Sequence, residues 1–201
     1  MELIAVIILG IVQGITEFLP ISSSGHLILA RELLGMEAQN GLAFDAVLQL
    51  ATGLAVVAYF WRDLVRLFKS AVSYVSGKGI DATDRTLIVA IILGTIPAVI
   101  AGLLLETKME TVFRSASLVA LMLIAGSVVM AGGELVAARY ARGPLTIKKG
   151  VGIGLFQCLA LIPGFSRSGA TISGGLLLGL TRENAARFGF LLSVPIILGS
   201  G

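Results

Sequence analysis

Three stretches of about twenty residues, each with at most one charged side chain, constrain the fold of this chain most. They cover residues 41–60, 86–105 and 116–138. About 20 apolar residues is the length at which an α-helix crosses the hydrocarbon core of a bilayer. Inside lipid the backbone must satisfy its own hydrogen bonds, and a helix does so within one segment. The sequence therefore predicts an all-α, polytopic membrane protein.

The composition supports a membrane protein and excludes several other classes. Charged residues make up 13% of the chain, against about 25% in soluble domains. The net charge of +3 comes from 15 Lys and Arg against 12 Asp and Glu. These charges are too few and too scattered for a nucleic-acid-binding surface. The single cysteine, Cys158, excludes an internal disulfide.

The basic residues are distributed unevenly between the connections that flank the three spans. One side of the membrane receives Arg31, Lys108 and Arg114. The other side receives Arg62, Arg66, Lys69, Lys78, Arg85, Arg139, Arg142, Lys148 and Lys149. Under the positive-inside rule, the side with more basic residues faces the cytoplasm.

Two further apolar regions, 1–40 and about 150–182, are interrupted by polar segments that contain Gly and Pro. The interruptions read EFLPISSSGH at 17–26 and PGFSRSGAT at 163–171. Backbone that leaves the helix at membrane depth needs protein or a water-filled cavity around it. We therefore expect both regions to be re-entrant helix-loop-helix elements.

The two interrupted regions resemble each other at a constant offset. A shift of 144 residues gives 11 identities in the 35 positions from 10 to 44. The matches include Gln13 with Gln157 and Ser22 with Ser166. An odd number of spans lies between the copies, which predicts an inverted-topology repeat.

The repeat predicts how the chain is organised. The first repeat would cover residues 1–144, with the re-entrant element at 1–40 and the three spans. The second, residues 145–201, would contain the other re-entrant element and the start of a fourth span at 185–201. Since this second copy is much shorter, it is expected to be truncated.

Both interruptions place serines where a new helix begins. Such residues are good N-caps, and the N–H groups of a helix N-terminus attract anions. Two such ends and one arginine suit a diphosphate or a similarly charged group. The predicted substrate-binding residues are Ser22, Ser24, Gly25, Ser166, Arg167, Ser168, Gly169 and Thr171.

The reactive side chains differ between the copies. Glu17 aligns with Leu161, Ser23 with Arg167, and His26 with Ala170. Together, Glu17, Ser23, His26 and Arg167 offer a nucleophile, an acid or base and an anion clamp, the parts needed to transfer a phosphoryl group to water. A buried charge in an apolar segment is functional by default, which favours this interpretation for Glu17 and Arg167.

Several of these residues have a structural alternative. Ser22, Ser23 and Ser24 would serve only as helix caps, and His26 as a structural hydrogen-bonding group. Thr171 would bond back to its own helix. For Gln13 and Gln157, occurrence in both copies favours a scaffold role.

The segments GxxQGxTEFLPISSSGH at 10–26 and LxPGFSRSGATISGG at 161–175 resemble the signature motifs of the undecaprenyl-diphosphate phosphatase family, also called the bacitracin-resistance family. The resemblance implies an enzyme of the bacterial inner membrane that removes the terminal phosphate of undecaprenyl diphosphate. The product is the lipid carrier for peptidoglycan synthesis. The resemblance also implies bacitracin resistance and an active site that faces the periplasm.

A divalent cation, Mg²⁺ or Ca²⁺, is implied by the same resemblance. Glu17 matches the acidic residue of the first motif and would hold the metal. Family members carry Glu or Gln at position 13, and Gln13 would be the second metal residue in this chain. A homodimer is a further expectation.

The mechanism and the function each have alternatives. In the preferred mechanism Ser23 attacks the terminal phosphorus and Glu17 or His26 accepts its proton. A phosphorylated His26 or direct attack by water are the other routes. A flippase or transporter for polyprenyl phosphates would use the same anion site without a nucleophile.

Overall fold

The described part of the chain folds into helices and contains no strand, in agreement with the predicted all-α class. The computed structural model describes residues 3–36, 41–111, 115–140 and 143–200. The α-helices, in chain order, are α1 (Leu3–Phe18), α2 (Ser23–Leu33), α3 (Gly41–Tyr59), α4 (Trp61–Val75), α5 (Ala82–Thr111), α6 (Ala116–Arg139), α7 (Ile147–Gln157), α8 (Arg167–Leu177) and α9 (Arg182–Ser200). A 3₁₀ turn, Cys158–Leu161, follows α7.

Among the described residues, two helices are long and apolar enough to cross a membrane on their own. They cover Ala82–Leu105 within α5 and Ser117–Arg139 within α6. A third crossing results if α3 and α4, which are bent by 73° at their junction, are counted as one span. The chain is therefore a multi-pass membrane protein.

The connection that follows the first predicted span and carries Arg62, Arg66 and Lys69 is itself helical. Residues Trp61–Val75 form helix α4. Its exposed apolar residues include Trp61, Phe68 and Val72, while Asp63 forms an ion pair with Arg187 of α9. An amphipathic helix of this kind suits the boundary between lipid and water.

The two interrupted regions share the same backbone from the cap serine to the glycine that follows the next helix. Helices α2 and α8 both span 11 residues and start 144 residues apart. Ser22 and Ser166 precede them with φ of 69° and 62°, and Gly35 and Gly179 follow them with φ of 65° and 79°. A positive φ is unusual for a residue with a side chain. The two copies therefore share an uncommon cap conformation as well as a sequence.

The two turns also contact each other reciprocally. A Cβ atom on Gly25 would lie 3.4 Å from Cα of Gly164, and one on Gly169 would lie 3.2 Å from the carbonyl oxygen of Pro20. Pro20 and Gly164 occupy the same position in the two copies. Each turn therefore packs its glycine against the same part of the other turn.

Helix α7 is fixed by close packing against α5. A Cβ atom on Gly154 would lie only 2.1 Å from the carbonyl oxygen of Gly94, so glycine is required there. The nearby residues Ala90 and Ile153 are completely buried. This contact holds the C-terminal end of α7, where Gln157 lies, in a defined place.

Some predicted features fall outside the described residues. These are Asn40, which supports the repeat, Arg114 and Arg142, which support the orientation, and Gly201 at the end of the predicted fourth span. The remainder of that span coincides with α9, which contains Pro195 within its helix.

Candidate active site

A cleft of about 200 Å³ lies where the two interrupted regions meet. Side chains of both turns and of the helices around them line it. The lining residues are Thr16, Glu17, Ser22, Ser23, Ser24, Gln49, Ala98, Gln157, Ala160, Leu161, Ser166, Arg167, Ser168 and Ile196. Seven of the residues predicted from the sequence are thus brought together: Glu17, Ser22, Ser23, Ser24, Ser166, Arg167 and Ser168.

Glu17 is the central acidic group of the cleft. It is the last buried residue of α1 and is 8% exposed. Its Oε1 accepts a hydrogen bond from the Arg167 guanidinium, with which it also forms an ion pair. These two residues are 150 positions apart in the chain. A charge this deeply buried requires such a partner, and the two repeat copies supply one charge each.

Ser23 is hydrogen-bonded to the same carboxylate. Its hydroxyl donates to Oε2 of Glu17 over 2.6 Å. A hydroxyl held at this distance from a carboxylate has the geometry of a nucleophile next to its base. Ser23 is the first residue of α2, so it lies at the positive end of the helix dipole.

Gln13, one helical turn before Glu17 in α1, is hydrogen-bonded to the Glu17 carboxylate. Its Nε2 donates to Oε2 of Glu17 over 3.0 Å and to the Thr52 hydroxyl over 3.2 Å. Gln13 is 2% exposed and does not line the cleft. Glu17 is therefore oriented by an amide and by a guanidinium.

The two cap serines make equivalent bonds. Ser22 Oγ accepts from the Gly25 amide over 3.3 Å, and Ser166 Oγ accepts from the Gly169 amide over 3.1 Å. The Ser24 hydroxyl lies 3.4 Å from that of Ser22. The capping role predicted as the structural alternative thus exists in both copies, although Ser22, Ser24 and Ser166 also face the cleft.

Four further predicted residues do not line the cleft. Gly25 and Gly169 pack between the two turns. Thr171 is 1% exposed, and its hydroxyl donates to the carbonyl oxygens of Arg167 and Ser168 at 3.0 and 3.3 Å. This is the back-bonding that a threonine within a helix commonly forms.

His26 is the last of these four predicted residues that do not line the cleft. Its Nδ1 lies 2.7 Å from the carbonyl oxygen of Ser22. Because a carbonyl oxygen only accepts, Nδ1 carries the proton and donates it. The bond ties the imidazole to the backbone of its own helix start, so Glu17 is the base nearest to Ser23.

Three polar residues of the cleft were absent from the predicted site: Gln49, Thr16 and Gln157. Each is a polar residue in an apolar helix, and that signal was available in the sequence. From the sequence, only a scaffold role is predicted for Gln157. Its position on the cleft wall depends on the packing of α7 against α5.

The sequence matches the family described as bacitracin resistance protein BacA over residues 6–201. A protein of Renibacterium salmoninarum named undecaprenyl-diphosphatase is 48% identical over 206 residues, which cover 100% of this chain and 72% of that protein. Proteins with the same name from Geotalea daltonii and Methanosphaera stadtmanae are 48% and 43% identical, over 100% of this chain and 74% and 76% of theirs.

Proposed function

This chain belongs to the bacitracin resistance protein BacA family, and we propose that it hydrolyses undecaprenyl diphosphate to undecaprenyl phosphate and inorganic phosphate. The observation that carries the proposal is the hydrogen bond from Ser23 to Glu17, in a cleft that also presents Arg167. The product would return to peptidoglycan synthesis as the lipid carrier. An abundant enzyme of this kind would confer bacitracin resistance.

In the first step, the Ser23 oxygen attacks the terminal phosphorus. Glu17 accepts the hydroxyl proton through the existing 2.6 Å hydrogen bond. The bond between the terminal phosphorus and the bridging oxygen breaks, and undecaprenyl phosphate leaves with the electron pair. The terminal phosphoryl group is then bonded to Ser23.

In the second step, a water molecule attacks the phosphoserine. Between the steps, Glu17 releases the first proton to solvent and is again a carboxylate. It accepts a proton from the attacking water and donates it to the Ser23 oxygen as the phosphorus–oxygen bond to Ser23 breaks. Inorganic phosphate leaves, and the hydroxyl is restored.

Arg167 stabilises the charge on the phosphoryl oxygens in both steps. Guanidinium groups have five donors in a planar fork, so contact with Glu17 leaves N–H groups of Arg167 for the substrate. The backbone amides at the starts of α2 and α8 add partial positive charge from two directions. Preorganised donors of this kind favour the transition state over the ground state.

A divalent cation, Mg²⁺ or Ca²⁺, fits this cleft when it is shared with the substrate. The described residues hold no group of three His, Cys, Asp or Glu side chains. An ionised carboxylate offers about four acceptor positions, and donors from Arg167, Ser23 and Gln13 use three of those on Glu17. Since Mg²⁺ is commonly held by one or two carboxylates together with substrate phosphates, Glu17 would hold it on the protein side.

The cation would neutralise negative charge on the diphosphate. Gln13 as a second ligand stays a prediction, because its Nε2 is the atom that faces Glu17. Amide ligands bind cations through oxygen. We expect phosphate release to stop when EDTA is added and to resume with excess Mg²⁺ or Ca²⁺.

The proposed architecture is an inverted repeat with two re-entrant elements, embedded in the bacterial inner membrane. The equal lengths of α2 and α8, their matching caps and the reciprocal contact between the turns support it. With the basic connections in the cytoplasm, the cleft would face the periplasm. Cysteine labelling of Ser24 and Lys69 variants in intact cells would test the orientation, and cross-linking would test the homodimer.

The direct test is release of inorganic phosphate from undecaprenyl diphosphate by the purified protein in detergent. We expect release that saturates with substrate, and a variant with Ser23→Ala without measurable activity. A transporter would need no hydroxyl bonded to a carboxylate, so the Ser23–Glu17 pair favours the phosphatase. Transfer of the intact lipid between leaflets without phosphate release would favour the transporter.

A further inference from the structure

One buried amide has no hydrogen-bond partner among the described residues. Gln157, the last residue of α7, is 2% exposed, and neither its Nε2 nor its Oε1 is bonded. A buried polar group without a partner is destabilising and is rare in folded proteins. Such a group needs an explanation beyond packing.

The repeat shows why Gln157 lacks a partner. Its equivalent, Gln13, donates to Glu17 and to Thr52. The positions 144 residues later are Leu161 and Ile196, which are both apolar. The second copy has therefore kept the amide and replaced both groups that would bond to it.

Gln157 lines the same cleft as Glu17, Ser23 and Arg167. Leu161 and Ile196 also line it. The apolar replacements thus leave, in a residue of the cleft wall, a buried amide that no described residue bonds to. The contact between Gly154 and Gly94 holds α7, and with it the amide, in this position.

We propose that Gln157 is a substrate-binding residue whose Nε2 donates a hydrogen bond to a non-bridging oxygen of the diphosphate. This rests on the proposed function and adds a donor from the second repeat, separate from Arg167. The equivalent amides of the two copies then have different roles. Gln13 orients the base, and Gln157 contacts the substrate.

The test uses Gln157→Met, which keeps the length of the side chain and removes both polar atoms. Its affinity for farnesyl methylenediphosphonate, a non-hydrolysable diphosphate analogue, is measured by calorimetry in detergent. We expect binding about tenfold weaker or more, as for loss of a hydrogen bond to a charged group. Gln157→Glu, which places a carboxylate next to the diphosphate, should bind the analogue more weakly still.

Melting temperature without ligand separates substrate binding from a structural role. Removing an unbonded amide should leave the melting temperature of Gln157→Met unchanged or raise it. A lower melting temperature together with unchanged analogue affinity would show a structural residue and overturn the proposal.

Ser173→Ala is the matched control. The Ser173 hydroxyl is also buried without a partner among the described residues, but it does not line the cleft. We expect this variant to bind the analogue like the wild type. Equal weakening in Ser173→Ala and Gln157→Met would also overturn the proposal.

Phosphate release from undecaprenyl diphosphate, measured in parallel, separates the two conclusions. If wild-type protein releases phosphate and Gln157→Met has the same analogue affinity and KM, the role of Gln157 is refuted but the phosphatase activity is not. Wild-type protein that binds the analogue through Gln157 without releasing phosphate would support the binding role and refute the phosphatase.

Discussion

The start of α2 and the start of α8 have the same cap geometry and different chemistry. Each has a capping serine with positive φ, followed by a helix of 11 residues. The first carries Ser23 where the second carries Arg167. The cap geometry is therefore the same in both copies, while the side chains that face the shared cleft are complementary.

This difference gives each copy part of one site. The first copy supplies the carboxylate of Glu17 and the hydroxyl of Ser23, and the second supplies the guanidinium of Arg167. A symmetric site would place two like groups together, with like charges repelling. An asymmetric pair forms a neutral buried ion pair that can position a nucleophile.

The largest effect should follow replacement of the residue that makes the first copy reactive. Ser23→Ala removes the nucleophile and should lower kcat on the order of 10⁴-fold or more, as for loss of other covalent nucleophiles. Phosphate release measures it. His26→Ala should retain far more activity, because His26 is bonded to the Ser22 backbone. Normal release by Ser23→Ala together with its loss in His26→Ala would refute the serine mechanism.

Glu17→Gln should have the next largest effect. It keeps the shape of the side chain but removes the base, which should lower kcat on the order of 10²–10⁴-fold. Glu134→Gln is the matched control, since Glu134 forms an exposed ion pair with Arg182 away from the cleft. Comparable losses in the two variants would contradict the assignment of Glu17 as base.

Arg167→Lys tests what the second copy contributes. A lysine keeps the charge but cannot reproduce the planar fork, so kcat/KM should fall roughly 10- to 100-fold, as expected for loss of a hydrogen bond to a charged group. Steady-state kinetics over a range of substrate concentrations would measure it. Unchanged kinetics would remove Arg167 from the site.

The smallest effects should follow removal of the helix-capping serine that the two copies share. Ser22→Ala and Ser166→Ala each remove a helix cap, and each should lower the free energy of unfolding by about 1 kcal/mol. Thermal unfolding followed by circular dichroism would compare them. Because the cap geometry is the same, the two losses should be similar. A large loss in only one copy would show that the turns are not equivalent.

The comparison also explains which parts of the site could be predicted. A polar segment in an apolar region, a constant offset of 144 residues and single charges in apolar surroundings are all visible in the sequence. These signals identified Glu17, Ser23 and Arg167. They gave no indication of which way a side chain points, so Thr171 and His26 were grouped with cleft residues although both bond to the backbone of their own helices.

The sequence by itself determined the all-α membrane architecture, the duplicated turn and the residues that could carry chemistry. The physical reason is that lipid requires long apolar helices and makes each buried polar residue costly. Only the tertiary structure decided which of these residues meet. The pairing of Glu17 with Arg167 and the unbonded amide of Gln157 depend on helices that are distant in the chain but packed together. Local periodicity contains no information about such contacts.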